Sequence, residues 1–291
     1  MGSDPLTGTG GTARWIAAAR ARETSRPDRL FDDPWAAELA GPDGCAMLTA
    51  REPDGTPNVY LPIRTRFFDD LIVGHSVWAS QVVLLGAGHD TRALRLALPA
   101  HTTIFGLDQP GVLDVTTQLI DRIRADRPVS TTWIPVAVDL RARWHDHLLG
   151  AGFDPGSPCL WIAEGLFYYL TGDQVHDLLT TAARLSHARA VVGADTFGTG
   201  LLDLPSMRDH VESRRAAGMD PPFCTDDPTG LLQRAGWSLD QIVEPGQDAA
   251  NFGRLPALPH PWNGGRNPTL RTYLIAGHID GSPSAPATGP R

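Results

Sequence analysis

The most conspicuous absence in this chain of 291 residues is lysine, because all 25 basic side chains are arginine. Without a lysine amine the protein cannot use a lysine nucleophile or form a lysine Schiff base. Any cation that a site requires must therefore be a guanidinium, whose planar fork suits a carboxylate.

Cysteine is also scarce, and its three positions are far apart: Cys45, Cys159 and Cys224. A scattered, odd-numbered set without a C-x-x-C pair indicates neither a disulfide framework nor a zinc site. We therefore expect reduced thiols, a cytoplasmic protein and no bound metal.

The chain has no excess of positive charge and no long apolar run. Its net charge is −8, so no basic field is present to hold a nucleic-acid backbone, and nucleic acid is not an expected partner. No segment approaches the roughly 20 apolar residues of a membrane span. The first 14 residues also lack the basic and apolar regions of a secretory signal. No association with a membrane is expected.

Patterns typical of strands and helices alternate along the chain, which indicates a parallel α/β sheet covered by helices. Residues 12–80 are predicted to form a helical cap, with helices that begin at Thr12, Pro34 and Pro62. Five β–α units and a terminal strand pair follow, and they predict a seven-stranded, mostly parallel sheet. The first five strands are predicted at 81–86, 102–108, 131–140, 158–165 and 189–197, and the last two lie in WSLDQIVEP and TLRTYLIAG.

Several helices of the core can be placed from local signals. One is predicted from about Asp90 to Leu98, and another begins at Pro110 and runs to about Asp126. Thr171 and Gln174 match a capping box, and Asp227 precedes a proline that opens a short helix. We expect a single domain over 12–280 with a helical lid at about 200–225, and disordered tails at 1–11 and 281–291.

The stretch QVVLLGAGHDTRALRL (81–96) is a strand that stops at two closely spaced glycines, Gly86 and Gly88. Such a turn at the end of the first strand of an open α/β sheet is the expected place for a ligand. A dinucleotide fingerprint would require a third glycine three positions after Gly88. That position is Thr91, so the match to a dinucleotide site is partial.

Two acidic residues follow the next predicted strands. Asp108 lies 20 positions after Gly88 (108 − 88), where a carboxylate holds the hydroxyl groups of an adenosine ribose; the alternative is an N-cap for the helix at Pro110. Asp139 with Leu140 closes the third strand, where a carboxylate accepts from an adenine amino group and the next backbone N–H meets a ring nitrogen. The alternative for Asp139 is a solvated residue at a strand end.

The segments LGAGHDTRALRL, LDQP, PVAVDL and AEGLFYYL, in this order and spacing, resemble the leucine carboxyl methyltransferase family. The similarity is greatest to the family's bacterial branch of S-adenosylmethionine-dependent O-methyltransferases, which includes enzymes of natural-product synthesis. TARWIAAARARE, LFDDPWA and RTRFFDD belong to the same pattern, which covers roughly residues 12 to 200. The resemblance implies a Rossmann-like methyltransferase fold and S-adenosylmethionine as the cofactor.

The resemblance also implies roles for individual residues. Gly86 and Gly88 would let the backbone pass under the cofactor, Asp108 would bind its ribose, and Asp139 with Leu140 its adenine. Glu164, after the fourth strand, would face the cofactor's ammonium group.

In this family two cations attend the carboxylate of the cofactor. On the predicted helix from Pro62, Arg66 has Asp70 at i+4, whereas Arg64 has only apolar and aromatic neighbours. An unpaired, half-buried arginine must find an anion elsewhere, so Arg64 is the expected cation. The other family cation is often lysine, and Arg20 is its expected substitute here.

Methyl transfer from a sulfonium to a carboxylate needs no general base, whereas transfer to a phenol or alcohol does. The sequence leaves carboxylate and hydroxyl acceptors open. His210 on the expected lid is the histidine to test as a base. Tyr168 and Tyr169 follow the fourth strand, where one is expected to line the acceptor pocket and the other to pack in the core, and Tyr168 is the candidate for the pocket. The expected acceptor is a small molecule of bacterial secondary, polyketide-like metabolism.

Two other functions remain compatible with the glycine turn and Asp108. One is a nicotinamide-dependent oxidoreductase, against which the missing third glycine and the absence of an S/Y-x-x-x-K pair both count. The other is a non-catalytic protein that binds the cofactor.

Overall fold

The computed structural model describes residues 9–127, 129–186, 189–216, 218, 220–255 and 271–279. Within these ranges, seven strands form a single sheet. The strands are β1 (Gln81–Leu85), β2 (Thr103–Asp108), β3 (Thr132–Ala137), β4 (Cys159–Ala163), β5 (Ala190–Phe197), β6 (Ser238–Val243) and β7 (Thr272–His278).

Helices precede and follow these strands as the alternating pattern predicts. In the described ranges they are α1 (Thr9–Thr24), α2 (Ala36–Arg51), α3 (Tyr60–His75), α4 (Arg92–Arg95), α5 (Pro110–Asp126), α6 (Trp144–Gly150), α7 (Gly172–Arg184), α8 (Arg208–Ala216) and α9 (Pro228–Arg234).

The sheet has the order β3-β2-β1-β4-β5-β7-β6. Strands β1 to β5 pair in parallel, while β7 is antiparallel to both β5 and β6. The prediction of a Rossmann-like, mostly parallel, seven-stranded sheet is confirmed. The strand order reverses between β1 and β4, so the crevice beyond the carboxyl ends of these two strands is the position for a ligand.

The central strands are buried on both faces, which explains their continuous apolar runs. Along β1, Val83 and Leu85 belong to the hydrophobic cluster on one face of the sheet, and Val82 and Leu84 belong to the cluster on the other. This alternation follows from the two-residue period of a strand.

Helix α3 lies close against the sheet because β5 has a glycine where the two meet. A Cβ atom at Gly193 would clash with the side chain of Leu71 and crowd Ile162. The close approach brings the first turn of α3, which carries Tyr60 and Arg64, to the carboxyl end of β5.

Helices precede β1 over the N-terminal residues as predicted, but the predicted boundaries of these helices are wrong. Helix α1 begins at Thr9, so Thr12 lies inside the helix and does not cap it, and residues 9–11 do not belong to a disordered tail. Packing of α1 against α2 outweighs the poor helix propensity of this Thr/Gly segment. Residues 1–8 and 280–291 of the predicted tails lie outside the described residues.

The starts of α2 and α3 also differ from the predicted ones, because a helix accommodates proline at several positions near its first turn. Helix α2 begins at Ala36 and not at Pro34, and it continues through a kink at Gly41, where φ is 57°. Helix α3 begins two residues before Pro62, which is allowed because the N–H groups of a first turn have no acceptor within the helix. The helix predicted over 90–98 is reduced to α4.

The predicted capping box and the predicted start of α9 at Asp227-Pro228 are both confirmed. The Thr171 side chain accepts from the backbone N–H of Gln174, and the Gln174 side chain accepts in return from the backbone N–H of Thr171, which completes a capping box. Asp227 caps α9 by accepting from the backbone N–H of Gly230. These local signals survive because their partners lie within four residues.

In the part of the chain that the structure describes, no helix combines the length and apolarity needed to cross a bilayer. The division into a cap, a core and a lid over about 200–225 stays a prediction. The structure has two 3-10 turns, Thr199–Asp203 and Pro205–Met207, followed by α8 in that region.

We expect Thr171→Ala to lower the free energy of unfolding by about 1 kcal/mol, because it leaves N–H groups of the first turn of α7 without their side-chain acceptor. Chemical denaturation measures the change. Thr171→Ser is the matched control, since it keeps the hydroxyl and should stay near wild type. Equal losses for both variants would show that the capping box does not stabilise α7.

Candidate functional site

The loop after β1 is a tight turn that requires glycine at two positions. Gly86 and Gly88 have φ angles of 72° and 55°, in the left-handed region that favours glycine. The backbone N–H groups of Gly86 and Ala87 both donate to the carbonyl oxygen of Leu107, at 2.9 Å each. The turn is therefore fastened to the end of β2.

The carboxylate of Asp108 faces this turn. It accepts from the backbone N–H of Gly88 at 2.8 Å and from that of Gln109 at 2.7 Å. Burial raises the pKa of Asp108 above its usual value, against the lowering by these two hydrogen bonds. Helix α5 has no side-chain cap, so the N-cap alternative for Asp108 is wrong. The two bonds leave lone pairs on the carboxylate for a ligand.

Asp139 and Leu140 follow β3, as predicted. The pairing of β2 and β3 extends to Val138, whose N–H donates to the carbonyl oxygen of Asp108 at 2.8 Å, so Asp139 lies at the same edge. Its carboxylate is partly exposed and pairs with Arg141 at 2.6 Å, which lowers its pKa. Leu140 packs against the hydrophobic core.

Glu164, directly after β4, is held between two arginines. Its oxygens accept from Arg64 Nε at 3.1 Å and from Arg92 Nη2 at 2.7 Å. Burial favours the neutral carboxyl, but the two guanidinium groups outweigh it and lower the pKa of Glu164 to about 2. Glu164 is therefore ionised at neutral pH. Arg92, which also pairs with Asp69 at 2.7 Å, is a residue of the site that the sequence interpretation missed.

The expectation that Arg64 lacks an anionic partner in the protein is wrong. The side chain is buried, as predicted, but it pairs with Glu164 and lies 3.6 Å from Asp195. Arg66 forms the predicted surface pair with Asp70 at 2.8 Å. Neighbours along a helix can be read from spacing, whereas partners 100 and 131 positions away (164 − 64 and 195 − 64) depend on the tertiary fold.

Arg20 connects α1 to the glycine turn. It pairs with Asp33 at 2.8 Å and donates from Nη2 to the carbonyl oxygen of His89 at 2.5 Å. The hydroxyl of Thr91 donates to the same Asp33 at 2.8 Å. Thr91 stands where a dinucleotide motif would have its third glycine, and here its side chain forms a buried hydrogen bond. Burial, with Arg20 nearby, lowers the pKa of His89 to about 4, and its imidazole is neutral.

Asp195, near the end of β5, is a second site residue that was missed. Its Oδ2 accepts from the Tyr60 hydroxyl at 2.6 Å and its Oδ1 from the backbone N–H of Gly165 at 2.5 Å. Burial raises the pKa of Asp195, against the lowering by Arg64. A signal was available, because the buried strand AVVGADTF carries a single acidic residue near its carboxyl end, as the segments ending in Asp108 and Asp139 do.

Tyr168 lies in a 3-10 turn, Phe167–Tyr169, that follows Glu164. Its hydroxyl lies 3.8 Å from the sulfur of Met207, and its ring contacts Phe197 with centroids 6.3 Å apart. Burial raises the pKa of Tyr168 to about 12. His210 belongs to α8, but its side chain lies outside what the structure describes, so its predicted role as a base stays a prediction.

The edge of the sheet thus presents carboxylates after successive strands, around a turn that brings the backbone close. Asp108, Asp139 and Glu164 can accept hydrogen bonds from hydroxyl, amino or ammonium groups of a ligand. Among the described residues, no group of three or more His, Cys, Asp or Glu side chains is arranged to hold a metal ion.

Comparison with known proteins finds a matching family model and similar chains. Residues 13–183 match the family model of leucine carboxyl methyltransferase. A proposed S-adenosyl-L-methionine-dependent methyltransferase from Streptomyces avermitilis is 36% identical over 262 residues, which cover 87% of this chain and 91% of the relative. Another proposed methyltransferase of this kind, from Mycobacterium avium, is 32% identical over 296 residues, with 94% and 91% covered.

Solved structures share the fold at low sequence identity. A proposed methyltransferase from Thermobifida fusca superposes with a TM-score of 0.60 at 14% identity, covering 92% of this chain and 94% of that one. A protein from Streptomyces avermitilis gives 0.59 at 13% identity, with 92% and 97% covered. At these identities the likeness is one of fold alone.

We expect the ionised Glu164 to make stability depend on acid pH. Its pKa of about 2 in the folded protein lies below the usual 4.5. The carboxylate therefore adds stability above pH 4.5, and this is lost as the pH falls toward 2. The contribution reaches about 3 kcal/mol. The free energy of unfolding, measured by denaturation across this pH range, should fall less steeply with decreasing pH for Glu164→Gln than for wild type. The same pH dependence in both proteins would contradict the assignment.

Proposed function

The chain belongs to the leucine carboxyl methyltransferase family, and from this premise we propose that it methylates an oxygen atom, carboxylate or hydroxyl, of a small molecule in bacterial secondary metabolism. Its cofactor is S-adenosylmethionine. Family membership sets aside the nicotinamide-dependent oxidoreductase. Oxygen is proposed as the accepting atom because the matching family model is named for methylation of a carboxyl group.

The observation that carries the proposal is the hydrogen bond from the Gly88 N–H to the Asp108 carboxylate, at 2.8 Å. It joins the backbone turn and the carboxylate of β2 into one cradle before any ligand binds. A Cβ at Gly88 would reach Ala13 at 3.7 Å, so α1 covers the turn closely. The residues present fit an adenosine cofactor, with Asp108 binding the ribose diol and Asp139 with the Leu140 N–H binding adenine.

The buried charges around the turn also fit this cofactor. A continuous set of ion pairs joins four arginines to five carboxylates, an excess of one negative charge when all are ionised. The arginines are Arg20, Arg64, Arg92 and Arg95, and the carboxylates are Asp33, Asp69, Asp90, Glu164 and Asp195. S-adenosylmethionine has two cationic groups and one carboxylate, and its single net positive charge complements this excess.

Within this network Glu164 and Arg64 are the proposed contacts for the amino-acid end of the cofactor. Glu164 keeps its negative charge at neutral pH and would accept from the ammonium group. Arg64 donates to Glu164 from Nε, and its Nη1 lies 3.6 Å from Asp195, which leaves the N–H groups of Nη2 for a carboxylate. Arg20 is proposed to support this end by holding α1 against the turn.

When bound, S-adenosylmethionine supplies an electrophilic methyl group on a sulfonium. The work of the chain is then to orient the acceptor oxygen in line with that methyl and to exclude water. Helix α1 and the segment from Thr199 to α8 are suited to cover the edge of the sheet, and Tyr168 is proposed to line the acceptor side.

The experiment that tests the proposal combines binding with product identification. Calorimetry should show binding of S-adenosylhomocysteine and not of NAD or NADP. Incubation with labelled cofactor and a bacterial metabolite extract, followed by mass spectrometry, should show a small molecule that has gained a methyl group on oxygen. Binding without any methylated product would support the non-catalytic alternative. Methylation on nitrogen, sulfur or carbon alone would overturn the proposal.

Removing the proposed ribose ligand should weaken cofactor binding. We expect Asp108→Ala to lower the affinity for S-adenosylhomocysteine about tenfold or more, because a carboxylate that accepts from ligand hydroxyls contributes about 1.5–3 kcal/mol. Asp121→Ala, which removes an exposed carboxylate from α5, is the matched control and should bind like wild type. Unchanged affinity in Asp108→Ala would refute the ribose assignment.

Arg64 and Arg66 offer a second matched pair on one helix. Arg64→Ala should weaken binding of S-adenosylhomocysteine about tenfold to a hundredfold, since a hydrogen-bonded charge pair is lost. Arg66→Ala removes a surface pair with Asp70 and contacts with Leu30 and Phe252, none of which is a proposed cofactor contact, and should leave binding unchanged. Thermal unfolding of each variant establishes that it is folded before titration. Similar affinities for the two variants would show that Arg64 serves structure alone.

A further inference from the structure

The carboxyl end of β5 lies next to the proposed cofactor position, but none of its residues is proposed above to contact the cofactor. If the cofactor lies across the ends of β1 to β4, the acceptor approaches from the neighbouring strand end. The inference that follows rests on the proposed function and asks which class of oxygen is methylated.

Two groups at this end form a hydrogen-bonded pair. The Tyr60 hydroxyl donates to Asp195 Oδ2 at 2.6 Å, and the backbone N–H of Gly165 donates to Asp195 Oδ1 at 2.5 Å. Asp195 is 2% exposed, whereas Tyr60 is only partly buried. Of the two residues, Tyr60 has more surface open to a ligand. Because its proton is committed to Asp195, the phenolic oxygen is left to accept a hydrogen bond from the ligand.

The surroundings of this pair are aromatic. The ring of Tyr60 packs edge-to-face on Phe197 with centroids 5.9 Å apart, and Phe197 packs edge-to-face on Tyr168 at 6.3 Å. These three rings, which we call the aromatic wall, come from α3, from β5 and from the turn after β4. Aromatic side chains in such arrangements favour contact with another aromatic ring.

The charges around the pair disfavour a carboxylate acceptor. Asp195 and Glu164 are both anionic partners of Arg64, so the nearest guanidinium is already shared by two carboxylates. Because the cofactor's carboxylate is also assigned to Arg64, no guanidinium is left to pair with an acceptor carboxylate, which would meet the repulsion of Asp195 and Glu164. A neutral hydroxyl has no such penalty, and its proton has an acceptor in Tyr60.

We propose that the acceptor is an aromatic compound with a hydroxyl group, that Tyr60 is the catalytic residue that takes the hydroxyl proton, and that Asp195 is the positioning residue that receives the proton of Tyr60. As the methyl carbon bonds to the acceptor oxygen, the carbon–sulfur bond breaks and its electron pair stays on sulfur. The acceptor proton moves to the Tyr60 oxygen and the Tyr60 proton moves to Asp195. The products are an aryl methyl ether, a neutral thioether and a protonated Asp195, which later releases its proton to water.

The pH dependence follows from the groups that face Asp195. These are Tyr60 and Arg64 from α3 and Glu164 beside Gly165 after β4, while the strand partner on β7 is the uncharged Leu274. Burial raises the pKa of Asp195. Only the ionised carboxylate can receive a proton, so activity should fall on acidification, with its midpoint above the usual aspartate pKa.

The test uses a matched pair of probes on one ring system, 2-naphthol and 2-naphthoate. With S-adenosylhomocysteine bound, calorimetry should show 2-naphthol binding at least about tenfold more tightly than 2-naphthoate, because the latter brings an unpaired charge to a buried site. With S-adenosylmethionine, 2-naphthol should be converted to a base-stable ether. Binding of neither probe, or tighter binding of 2-naphthoate, would overturn the proposal.

Tyr60→Phe keeps the ring contacts of the aromatic wall and removes the proton acceptor. Its kcat for 2-naphthol at neutral pH should fall about 10²–10⁴-fold, with S-adenosylhomocysteine affinity unchanged. Its activity should recover at alkaline pH, where 2-naphthol ionises without help. The pH profile of Asp195→Asn should lack the fall in activity on acidification. Tyr273→Phe removes a buried hydroxyl on the other face of the sheet and should match wild type.

A purely structural role for Tyr60 predicts a different result, namely that Tyr60→Phe has a wild-type pH profile at reduced rate, or no recovery at high pH. Either result would overturn the proposal. Failure of this inference can be distinguished from failure of the proposed function. If S-adenosylhomocysteine binds and the metabolite extract yields only a base-labile methyl ester, O-methylation stands and the aromatic hydroxyl acceptor is wrong.

Discussion

The site depends on the pairing of buried charges around Glu164. Two arginines from different elements, Arg64 on α3 and Arg92 on α4, share this carboxylate, and Arg92 passes the connection on to Asp69. An unpaired buried charge destabilises the folded state by several kcal/mol, so removing one partner leaves a connected charge uncompensated. The network thereby fixes α3, α4 and the end of β4 relative to one another, and the glycine turn lies among them.

Much of this architecture could be predicted from the sequence, because the responsible interactions are local. Apolar runs that end in an acidic residue located Asp108, Asp139 and Glu164 at the carboxyl ends of their strands. The capping box at Thr171 was identified because its two partners are three residues apart. Parallel order and the switch point followed from the alternation of strand and helix patterns.

What the sequence could not supply was the set of partners that only the tertiary fold brings together. Arg64 was correctly expected to be buried and in need of an anion, but its two protein carboxylates are distant in sequence. Asp195 lies near the end of a buried strand, as Asp108 and Asp139 do, but no spacing in the sequence identifies its partners Tyr60 and Arg64. The start of α1 at Thr9 was missed because packing against α2, and not local propensity, makes that segment helical.

The N-terminal cap has a further consequence for how the chain is made. Arg20 is held by the carbonyl oxygen of His89, and Glu23 pairs with Arg254, which is 231 positions later (254 − 23). During synthesis α1 leaves the ribosome before the groups that bind it, since His89 lies in the glycine turn and Arg254 follows β6. Domains synthesised from the N-terminus generally begin folding there. Here the pair of Glu23 with Arg254 can form only after β1 to β6 have been synthesised, so α1 completes its docking when most of the sheet is already present.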